Sequence, residues 1–276
     1  MGLAIAARLL ELGFGVDVWN RSQKNLDELE AAGATQVGLD QALQNHLVIS
    51  MLSNDAAALD FFDSATLQKM SPNTIHVCMS TLSPRASKEL AARHQAQDKG
   101  FVSAPVLGRP AAVTSGKLLI VAAGQTDQIA KASAIFNKLS AKWWNVGEDH
   151  ASSLLVKLGV NYNIIHALQA IAESVALVEA GGVDPNTFVE IITHTAFTGS
   201  AYTGYGPMIV NRQYTPPGFT VELGLKDMRL IEEAAKDLDL TLPVSSVLTG
   251  LFETALADSK LKDLDWSAIA ELTRRA

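Results

Sequence analysis

The sequence predicts an α/β domain built on a doubly wound parallel sheet, followed by an all-helical domain. In residues 1–148 short apolar strands alternate with amphipathic helices, as in a parallel sheet with helices on both faces. The predicted strand 47–52 is apolar almost throughout, which is expected where both sides of the sheet are covered. In residues 149–276 no strand pattern occurs, and residues 151–180 contain no proline. This run predicts one interdomain helix about 45 Å long.

The remaining elements follow from periodicity and from glycine and proline positions. The strands predicted in the first domain are 15–19, 47–52, 74–79, 100–102, 118–122 and 143–146. The helices predicted between them are 3–12, 22–32, 55–62, 83–97 and 126–139. After the long helix, which ends at a pair of glycines, the predicted helices are 185–193, 205–210, 221–238, 244–257 and 266–274.

Composition limits the kind of protein this can be. The chain has 276 residues, of which 48% are hydrophobic, and a formal net charge of −7. The apolar fraction is too high for a disordered protein, and the acidic balance argues against binding to nucleic acid or to an anionic membrane. No apolar run reaches the roughly 20 residues that span a bilayer. The single cysteine, Cys78, excludes an internal disulfide and suits a reducing compartment, so we expect a cytoplasmic protein.

Polar residues follow the first predicted strand, at the edge where a doubly wound sheet binds its ligands. The strand runs directly into Asn20, Arg21 and Ser22. In sheets that bind NAD, an acidic residue at this position contacts the ribose hydroxyls, and it would repel a 2′-phosphate. A neutral Asn20 beside a guanidinium, which can hold phosphate through two hydrogen bonds, favours NADP. The alternative is an ordinary solvated loop.

Three further loops follow predicted strands, at residues 51–54, 79–84 and 103–110. All three contain small residues, and the loop 103–110 also contains a glycine. Small residues and glycine allow a ligand to approach the backbone closely. Any one of these loops taken alone is better explained by ordinary turn chemistry. Together they mark the strand ends as the place to look for a site.

The long predicted helix carries another candidate group. Lys157 stands between apolar residues and Asn161 follows four residues later, so both lie on one helix face. Burial lowers the pKa of a lysine, and a lysine that titrates nearer neutrality can donate or accept a proton. Asn161 can orient that amine and bond a substrate oxygen. The alternative is a surface lysine whose ammonium group reaches the solvent.

Six segments of the chain occur in a recognisable order. They are MGLAIA (1–6), NRS (20–22), STLSP (80–84), APVLG (104–108), KLGVN (157–161) and LKD (225–227). In this order they resemble the end of a dinucleotide fingerprint, an NADP-type strand end, two substrate loops, the catalytic lysine motif and the cofactor-side Lys-Asp motif of the β-hydroxyacid dehydrogenase family. That family has a Rossmann-type fold and includes 3-hydroxyisobutyrate dehydrogenase and tartronate semialdehyde reductase, within the 6-phosphogluconate dehydrogenase superfamily. The similarity covers nearly the whole chain.

The resemblance implies an oxidoreductase that depends on NADP, with NAD as the alternative cofactor. It would interconvert a small 3-hydroxy acid and its semialdehyde by hydride transfer, with Lys157 as the general acid/base. Asn161 and Ser80 would be further catalytic residues. The residues implied to bind substrate are Ser80, Gly108, Arg109 and Asn161. The residues implied to bind the cofactor are Gly2, Asn20, Arg21, Ser22, Leu52, Ser53, Thr81 and Lys226.

The chain departs from the family pattern at three places. Arg109 replaces a glycine, so a cation stands near the acid end of the substrate, where it would bind a second anionic group or pair with a neighbouring acid. Ala151 and Ser153 replace glycines that precede the catalytic lysine, so the backbone fit to the substrate would differ. The dinucleotide fingerprint begins at its fifth position, with Gly2 as its third glycine.

The absent part of the fingerprint includes the first strand of the family fold, which lies in the middle of the sheet. We therefore expect a gap between strands 15–19 and 47–52, or a strand supplied by a partner chain. Such a gap leaves backbone groups unpaired on both neighbours. The chain as given should then be less stable, and bind dinucleotide more weakly, than one extended upstream. A late start-codon assignment or a shortened chain explains this better than a natural loss of the strand.

Two other functions stay open at this point. Imine reductases share this architecture but usually carry Asp or Tyr in place of the lysine, so Lys157 argues against them. A catalytically inactive dinucleotide-binding module would explain the incomplete fingerprint, whereas Lys157 and Asn161 favour an enzyme. The expected partners are a small carboxylate or semialdehyde substrate and further copies of the chain, as a dimer or tetramer. No metal is expected, because His150, His166 and His194 lack metal-ligand spacing.

Overall fold

The computed structural model describes residues 1–22 and 26–274. The chain divides into two compact units, between Lys157 and Leu158. The boundary expected from the sequence lies between residues 148 and 149, just before the long helix α9 (Ala151–Ala180), whereas the observed division falls inside that helix. The roles expected of the two predicted domains, cofactor binding in the first and substrate binding with oligomerisation in the second, stay predictions.

The first unit contains two sheets. Its strands are β1 (Asp17–Val18), β2 (Thr35–Gln36), β3 (Leu47–Ser50), β4 (Ile75–Cys78), β5 (Gly100–Ser103), β6 (Val106–Leu107), β7 (Leu119–Gly124) and β8 (Lys142–Asn145). β1 and β2 form a parallel pair, and the other six strands form one sheet in the order β3-β4-β5-β7-β6, with β8 on β7. β3, β4 and β5 are parallel, as are β7 and β8, whereas β7 is antiparallel to β5 and β6.

Helices accompany these strands through the first unit. They are α1 (Gly2–Glu11), α2 (Leu26–Ala31), α3 (Leu39–Ala42), α4 (Asp55–Phe61), α5 (Ser64–Lys69), α6 (Pro84–Gln95), α7 (Pro110–Thr114) and α8 (Thr126–Leu139). The α/β class is confirmed, and each predicted strand is present with bounds shifted by at most a few residues. The reversal at β7 differs from a purely parallel sheet. Only α7, five residues long, lies between β6 and β7 in place of a crossover helix, so the chain turns back.

Apolar side chains cover both faces of the main sheet. On one face Val77, Val102 and Ile120 are fully buried against α1 and α8. On the other face Cys78 and Phe101 are buried against α4 and α6. Because alternate residues of a strand point to opposite faces, burial on both sides requires strands that are apolar at nearly every position, as the sequence has them.

The sheet is interrupted beside β3, as expected. β1 pairs with β2, and within residues 1–22 and 26–274 no backbone ladder joins β1 to β3. α1 lies against the main sheet, with Ile5 and Leu9 buried in its core. A Cβ on Gly2, the first residue of α1, would lie 3.6 Å from the Cβ of Met51. The start of α1 is therefore next to the carboxyl end of β3.

The second unit is helical over the residues that the structure describes, apart from turns and one isolated bridge. After α9 its helices are α10 (Pro185–Thr193), α11 (Ser200–Val210), α12 (Val221–Asp237), α13 (Ser245–Ala257), a 3₁₀ turn at Trp266–Ile269 and α14 (Ala270–Arg274). α9 and α10 have the predicted bounds. In the described part of the chain, no helix combines the length and the apolar character needed to cross a membrane.

The core of the second unit requires a glycine where α12 meets α13. The ring of Phe252 on α13 is fully buried in this core. A Cβ on Gly224 of α12 would overlap Phe252 Cε1 and lie 2.9 Å from Phe252 Cζ. Since a buried ring has no room to withdraw, the contact depends on glycine.

Gly224→Ala should therefore lower the free energy of unfolding by about 1–3 kcal/mol, the usual cost of overpacking. This is the opposite of the usual gain when alanine replaces glycine in a helix. Gly250→Ala in α13 is the control, because a Cβ there meets nothing within 4 Å and should leave stability unchanged or raise it. Urea unfolding followed by circular dichroism measures both. A Gly224→Ala variant as stable as wild type would contradict the close contact.

Candidate active site

Three strand ends of the main sheet lie side by side. Ser50, Cys78 and Ser103, the last residues of β3, β4 and β5, are paired in register. The loops that follow therefore leave the same edge of the sheet, where doubly wound sheets bind their ligands. These are the loops 51–54 and 79–83 and the segment 104–109, which contains the short strand β6.

Two hydrogen bonds join the loop 79–83 to the loop 51–54 and to the first residue of α4. The amide of Leu52 donates to Ser80 Oγ at 2.6 Å, and the amide of Ser83 donates to Asp55 Oδ1 at 2.9 Å. Ser80 is buried, and its neighbour Thr81 is half-buried. Because a backbone N–H already donates to the Ser80 oxygen, the hydroxyl hydrogen of Ser80 is directed elsewhere. This geometry suits a hydrogen bond to an anionic oxygen.

The third loop requires glycine at its turn. Gly108 has a φ of +139°, and a Cβ there would lie 2.9 Å from the Cβ of Ala112. Side chains rarely adopt that backbone conformation, so the turn keeps its amides uncovered. Arg109 follows, half-buried, and Pro110 occupies the first turn of α7.

The residues expected to bind a dinucleotide present hydrogen-bond donors. Asn20 is exposed, and its Nδ2 donates to the Ser22 carbonyl at 3.0 Å and to Ser22 Oγ at 3.3 Å, so the turn after β1 has a defined shape. Arg21 and Ser53 are exposed. α1 begins at Gly2, with no acidic residue in its first turn, so its N-terminal amides can face a phosphate. This donor set fits a dinucleotide that carries a 2′-phosphate.

α9 places Lys157 and Asn161 one helical turn apart, as predicted. Lys157 is 8% exposed and Asn161 4%. Asn161 Nδ2 donates to Asp227 Oδ2 at 2.5 Å, and Asp227 is itself buried on α12, next to the half-buried Lys226. A buried carboxylate that accepts this hydrogen bond fixes the orientation of the amide. Asp227 ends the LKD motif (225–227), but the sequence does not predict its hydrogen bond to Asn161. The signal for a structural role is an acid on the buried face of an amphipathic helix.

A chain of buried hydrogen bonds runs from β3 to α6. Ser50 Oγ lies 2.7 Å from His76 Nε2, His76 Nδ1 lies 2.9 Å from His94 Nε2, and His94 Nδ1 lies 2.7 Å from the Leu90 carbonyl oxygen. A carbonyl only accepts, so His94 carries its proton on Nδ1 and accepts at Nε2. His76 then donates from Nδ1 and accepts the Ser50 hydroxyl at Nε2. The geometry thus assigns the tautomers of both neutral histidines.

Both histidines are held neutral by burial. Burial, with a smaller contribution from His94, lowers the pKa of His76 well below its ordinary value, and burial lowers the pKa of His94 to about 4. The ring of Phe62 stacks on His76 with centroids 3.9 Å apart, and Phe101 packs against both imidazoles. The sequence gives no signal for this pairing, because the two histidines are eighteen residues apart, on a strand and a helix.

The described residues contain no group of three His, Cys, Asp or Glu side chains placed to hold a metal ion. The site residues above are serine, asparagine, lysine, arginine and backbone amides. These groups donate hydrogen bonds and protons, which is the chemistry of binding an anion and polarising an oxygen.

Family models match both parts of the chain. Residues 1–147 match the model for the NAD binding domain of 6-phosphogluconate dehydrogenase. Residues 152–273 match the model described as NAD-binding of NADP-dependent 3-hydroxyisobutyrate dehydrogenase. Together the two models cover almost the whole sequence.

Similar proteins span the full chain. An uncharacterised oxidoreductase of Bacillus subtilis, YfjR, is 32% identical over 273 residues, covering 98% of this chain and 95% of that protein. Glyoxylate/succinic semialdehyde reductase 1 of Arabidopsis thaliana is 28% identical over 278 residues, covering 99% and 95%. The structure of Mycobacterium tuberculosis 3-hydroxyisobutyrate dehydrogenase with L-serine has a TM-score of 0.89 at 22% identity, covering 99% and 96%. At that identity the likeness concerns the fold.

The fold, the strand-end loops and these matches define an NAD(P)-dependent oxidoreductase that acts on CH–OH groups. More narrowly, the chain belongs to the family of 3-hydroxyisobutyrate dehydrogenase-like β-hydroxyacid dehydrogenases, as the resemblance of its six motifs implies. The cofactor is NADP, with NAD as the alternative.

The buried histidine pair makes stability depend on pH. In the unfolded chain both imidazoles titrate near their ordinary pKa of about 6.5, whereas in the folded chain they stay neutral to lower pH. The unfolded state therefore binds more protons as the pH falls below about 6.5, and stability is lost by about 1 kcal/mol per pH unit for each histidine. Urea unfolding at pH 7.0, 6.0 and 5.0 measures this slope.

His94→Gln should reduce the slope, because it removes one of the two titrating groups. His194→Gln is the control, since His194 is exposed at the end of α10 and should leave the slope unchanged. A wild-type stability that is constant from pH 7.0 to pH 5.0 would show that the pair is not held neutral.

Proposed function

We propose that the protein is an NADP-dependent oxidoreductase that interconverts a small 3-hydroxy acid and its semialdehyde. The observation that carries the proposal is the buried pair of Lys157 and Asn161 on α9, with the Asn161 amide held by Asp227. A buried ammonium group is costly unless it is paired or hydrogen-bonded. We propose that Lys157 transfers a proton to and from the substrate oxygen.

The bound nicotinamide would supply or accept the hydride. In the reductive direction Lys157 Nζ donates a proton to the carbonyl oxygen of the substrate, and in the oxidative direction it accepts the hydroxyl proton. Asn161 hydrogen-bonds the same oxygen, in an orientation fixed by Asp227. The Ser80 hydroxyl and the amides that begin at Gly108 receive the substrate carboxylate.

The cofactor is proposed to lie along the carboxyl edge of the first unit. The N-terminus of α1 at Gly2 receives the pyrophosphate, and Asn20, Arg21 and Ser22 receive the ribose and its 2′-phosphate. The other residues of the first unit proposed to line the cofactor are Leu52, Ser53 and Thr81.

Small carboxylates are the proposed substrate class. The Arabidopsis relative is named for glyoxylate and succinic semialdehyde, and the Mycobacterium structure contains L-serine. All three compounds carry a carboxylate on a short chain, which suits the hydroxyl of Ser80 and the open turn at Gly108. Arg109 is proposed to bind a second anionic group of the substrate.

We also propose self-association through the second unit and a cytoplasmic location. The second unit has exposed apolar side chains: Leu177 is 75% exposed, Leu238 60% and Val247 61%. Large apolar side chains on a helical surface favour burial against another copy of the chain. The free, buried thiol of Cys78 suits a reducing compartment.

Arg21 should set the cofactor preference. Arg21→Ala is expected to reduce the preference for NADPH over NADH roughly ten- to a hundredfold, the worth of one charge-assisted hydrogen bond. Arg229→Ala is the control, an exposed arginine on α12 that pairs with Glu253. Fluorescence titration of each variant with both cofactors gives the affinities. Equal affinities in the wild type, or an unchanged preference in Arg21→Ala, would contradict the assignment.

Lys157→Ala should lower turnover roughly 10²- to 10⁴-fold and leave NADPH affinity nearly intact, because the lysine acts on the substrate oxygen. Lys157→Arg should fail similarly, since a guanidinium does not release its proton near neutral pH. Lys131→Ala, at an exposed position on α8, is the control.

The assay follows NADPH oxidation with glyoxylate and succinic semialdehyde, and NADP reduction with 3-hydroxyisobutyrate and L-serine. A Lys157→Ala variant that keeps more than about a tenth of wild-type turnover would exclude the general acid/base role.

A further inference from the structure

The buried histidine chain ends beside the substrate loops, although the proposed chemistry does not use it. The Ser50 hydroxyl, which donates to His76 Nε2, belongs to the last residue of β3. Two residues further on, the amide of Leu52 donates to Ser80 Oγ at 2.6 Å. A rigid end of β3 therefore fixes the position of the group that holds the Ser80 oxygen.

The other end of the chain is anchored on α6. His94 Nδ1 donates to the Leu90 carbonyl within α6. The same helix begins at the capping residue Ser83, whose amide donates to Asp55 on α4. The hydrogen bonds through His76 and His94 thus tie β3 and β4 to α6, whose capping residue Ser83 is three residues after Ser80.

We propose that His76 is a positioning residue for Ser80. By accepting the Ser50 hydroxyl, His76 holds the end of β3, so that the Leu52 amide meets the Ser80 oxygen and the Ser80 hydrogen faces the substrate carboxylate. This inference rests on the proposed function, in which Ser80 binds that carboxylate.

Only a neutral His76 with its proton on Nδ1 can do this. Its neighbours are Ser50 on β3, Phe62 after α4, His94 on α6 and Phe101 on β5. The two phenylalanine rings exclude water from the imidazole. The Nδ1–H of His76 donates a hydrogen bond to His94 Nε2. The remaining nitrogen, Nε2, is left to accept from the serine.

Nitrogen-15 NMR of the whole protein tests the tautomers directly. Both His76 and His94 should give the shifts of imidazoles protonated on Nδ1, and neither should titrate between pH 8.0 and pH 5.5. Assignment comes from His76→Gln and His94→Gln. An Nε2-protonated His76, or a His76 that titrates in this range, would overturn the proposal.

Steady-state kinetics tests the positioning. Ser50→Ala should raise the KM for the carboxylate substrate roughly three- to tenfold, the effect of one hydrogen bond, with kcat changed less. Ser50→Thr keeps the hydroxyl and should restore the KM. Ser87→Ala is the matched control: its buried hydroxyl donates to the His150 carbonyl at 3.1 Å, so it loses an equivalent bond elsewhere. An unchanged KM in Ser50→Ala would overturn the proposal.

A double variant shows whether Ser50 acts through Ser80. Ser50→Ala combined with Ser80→Ala should have the KM of Ser80→Ala alone, because the positioned group is already absent. A double variant whose KM increase is the product of the two single increases would overturn the proposal. If Ser80→Ala itself leaves the KM unchanged, the carboxylate role in the proposed function fails. If Ser80→Ala raises the KM and Ser50→Ala does not, only the positioning role fails.

His76 variants keep the test decisive if Ser50→Ala does not fold. Glutamine can accept from Ser50 and donate to His94, so His76→Gln should keep the wild-type KM. His76→Leu can do neither and should raise the KM as Ser50→Ala does. Equal KM values for the two variants would overturn the proposal.

Discussion

The in-register pairing of β3, β4 and β5 is the constraint on which the candidate site depends. The backbone ladder places Ser50, Cys78 and Ser103 in one row, and the loops that hold Leu52 and Ser80 follow the first two of these strands. A shift of one residue in this register would turn each side chain to the opposite face of the sheet. The apolar strands and the polar loops therefore depend on each other. Burial on both faces of the sheet fixes the strand register, and this register aligns the loop that holds Leu52 with the loop that holds Ser80.

His76 and His94 are polar residues buried against an otherwise apolar sheet. The free-energy cost of removing their imidazoles from water has to be offset. Two imidazoles buried without partners would each lose two hydrogen bonds to water. In this chain each ring nitrogen has a partner, from the Ser50 hydroxyl to the Leu90 carbonyl, and aromatic rings cover the faces. A fully satisfied buried chain of this kind admits one arrangement, because each proton position determines the next. An apolar pair at these positions would stabilise the fold without specifying where the end of β3 lies.

The sequence predicts the parts of this molecule that depend on local pattern. Buried strands such as β3 and the thirty-residue α9 are found because apolar runs and the absence of proline extend over many residues. The two-residue strands β2 and β6 leave no periodic signal, and the reversal of β7 depends on which strands pair, which one sequence does not encode locally. The same reason explains why His76–His94 and Asn161–Asp227 were not predicted as pairs: each joins residues far apart in the chain, and only the fold brings them together.

Lys157 and Asn161, by contrast, follow from spacing, because one helix fixes both. What the spacing does not supply is the orientation of the amide. Asp227, buried on α12, accepts from Asn161 Nδ2, and since a carboxylate only accepts, it determines which end of the amide points toward it. The Leu52 amide orients the Ser80 hydroxyl in the same way. Because this amide donates to Ser80 Oγ, the hydroxyl hydrogen of Ser80 points in another direction. In each unit, then, a second group that can only donate or only accept a hydrogen bond orients a polar side chain: Asp227 orients Asn161, and the Leu52 amide orients Ser80. Binding a carboxylate and transferring a proton to one oxygen depend on this orientation more than on the residue type.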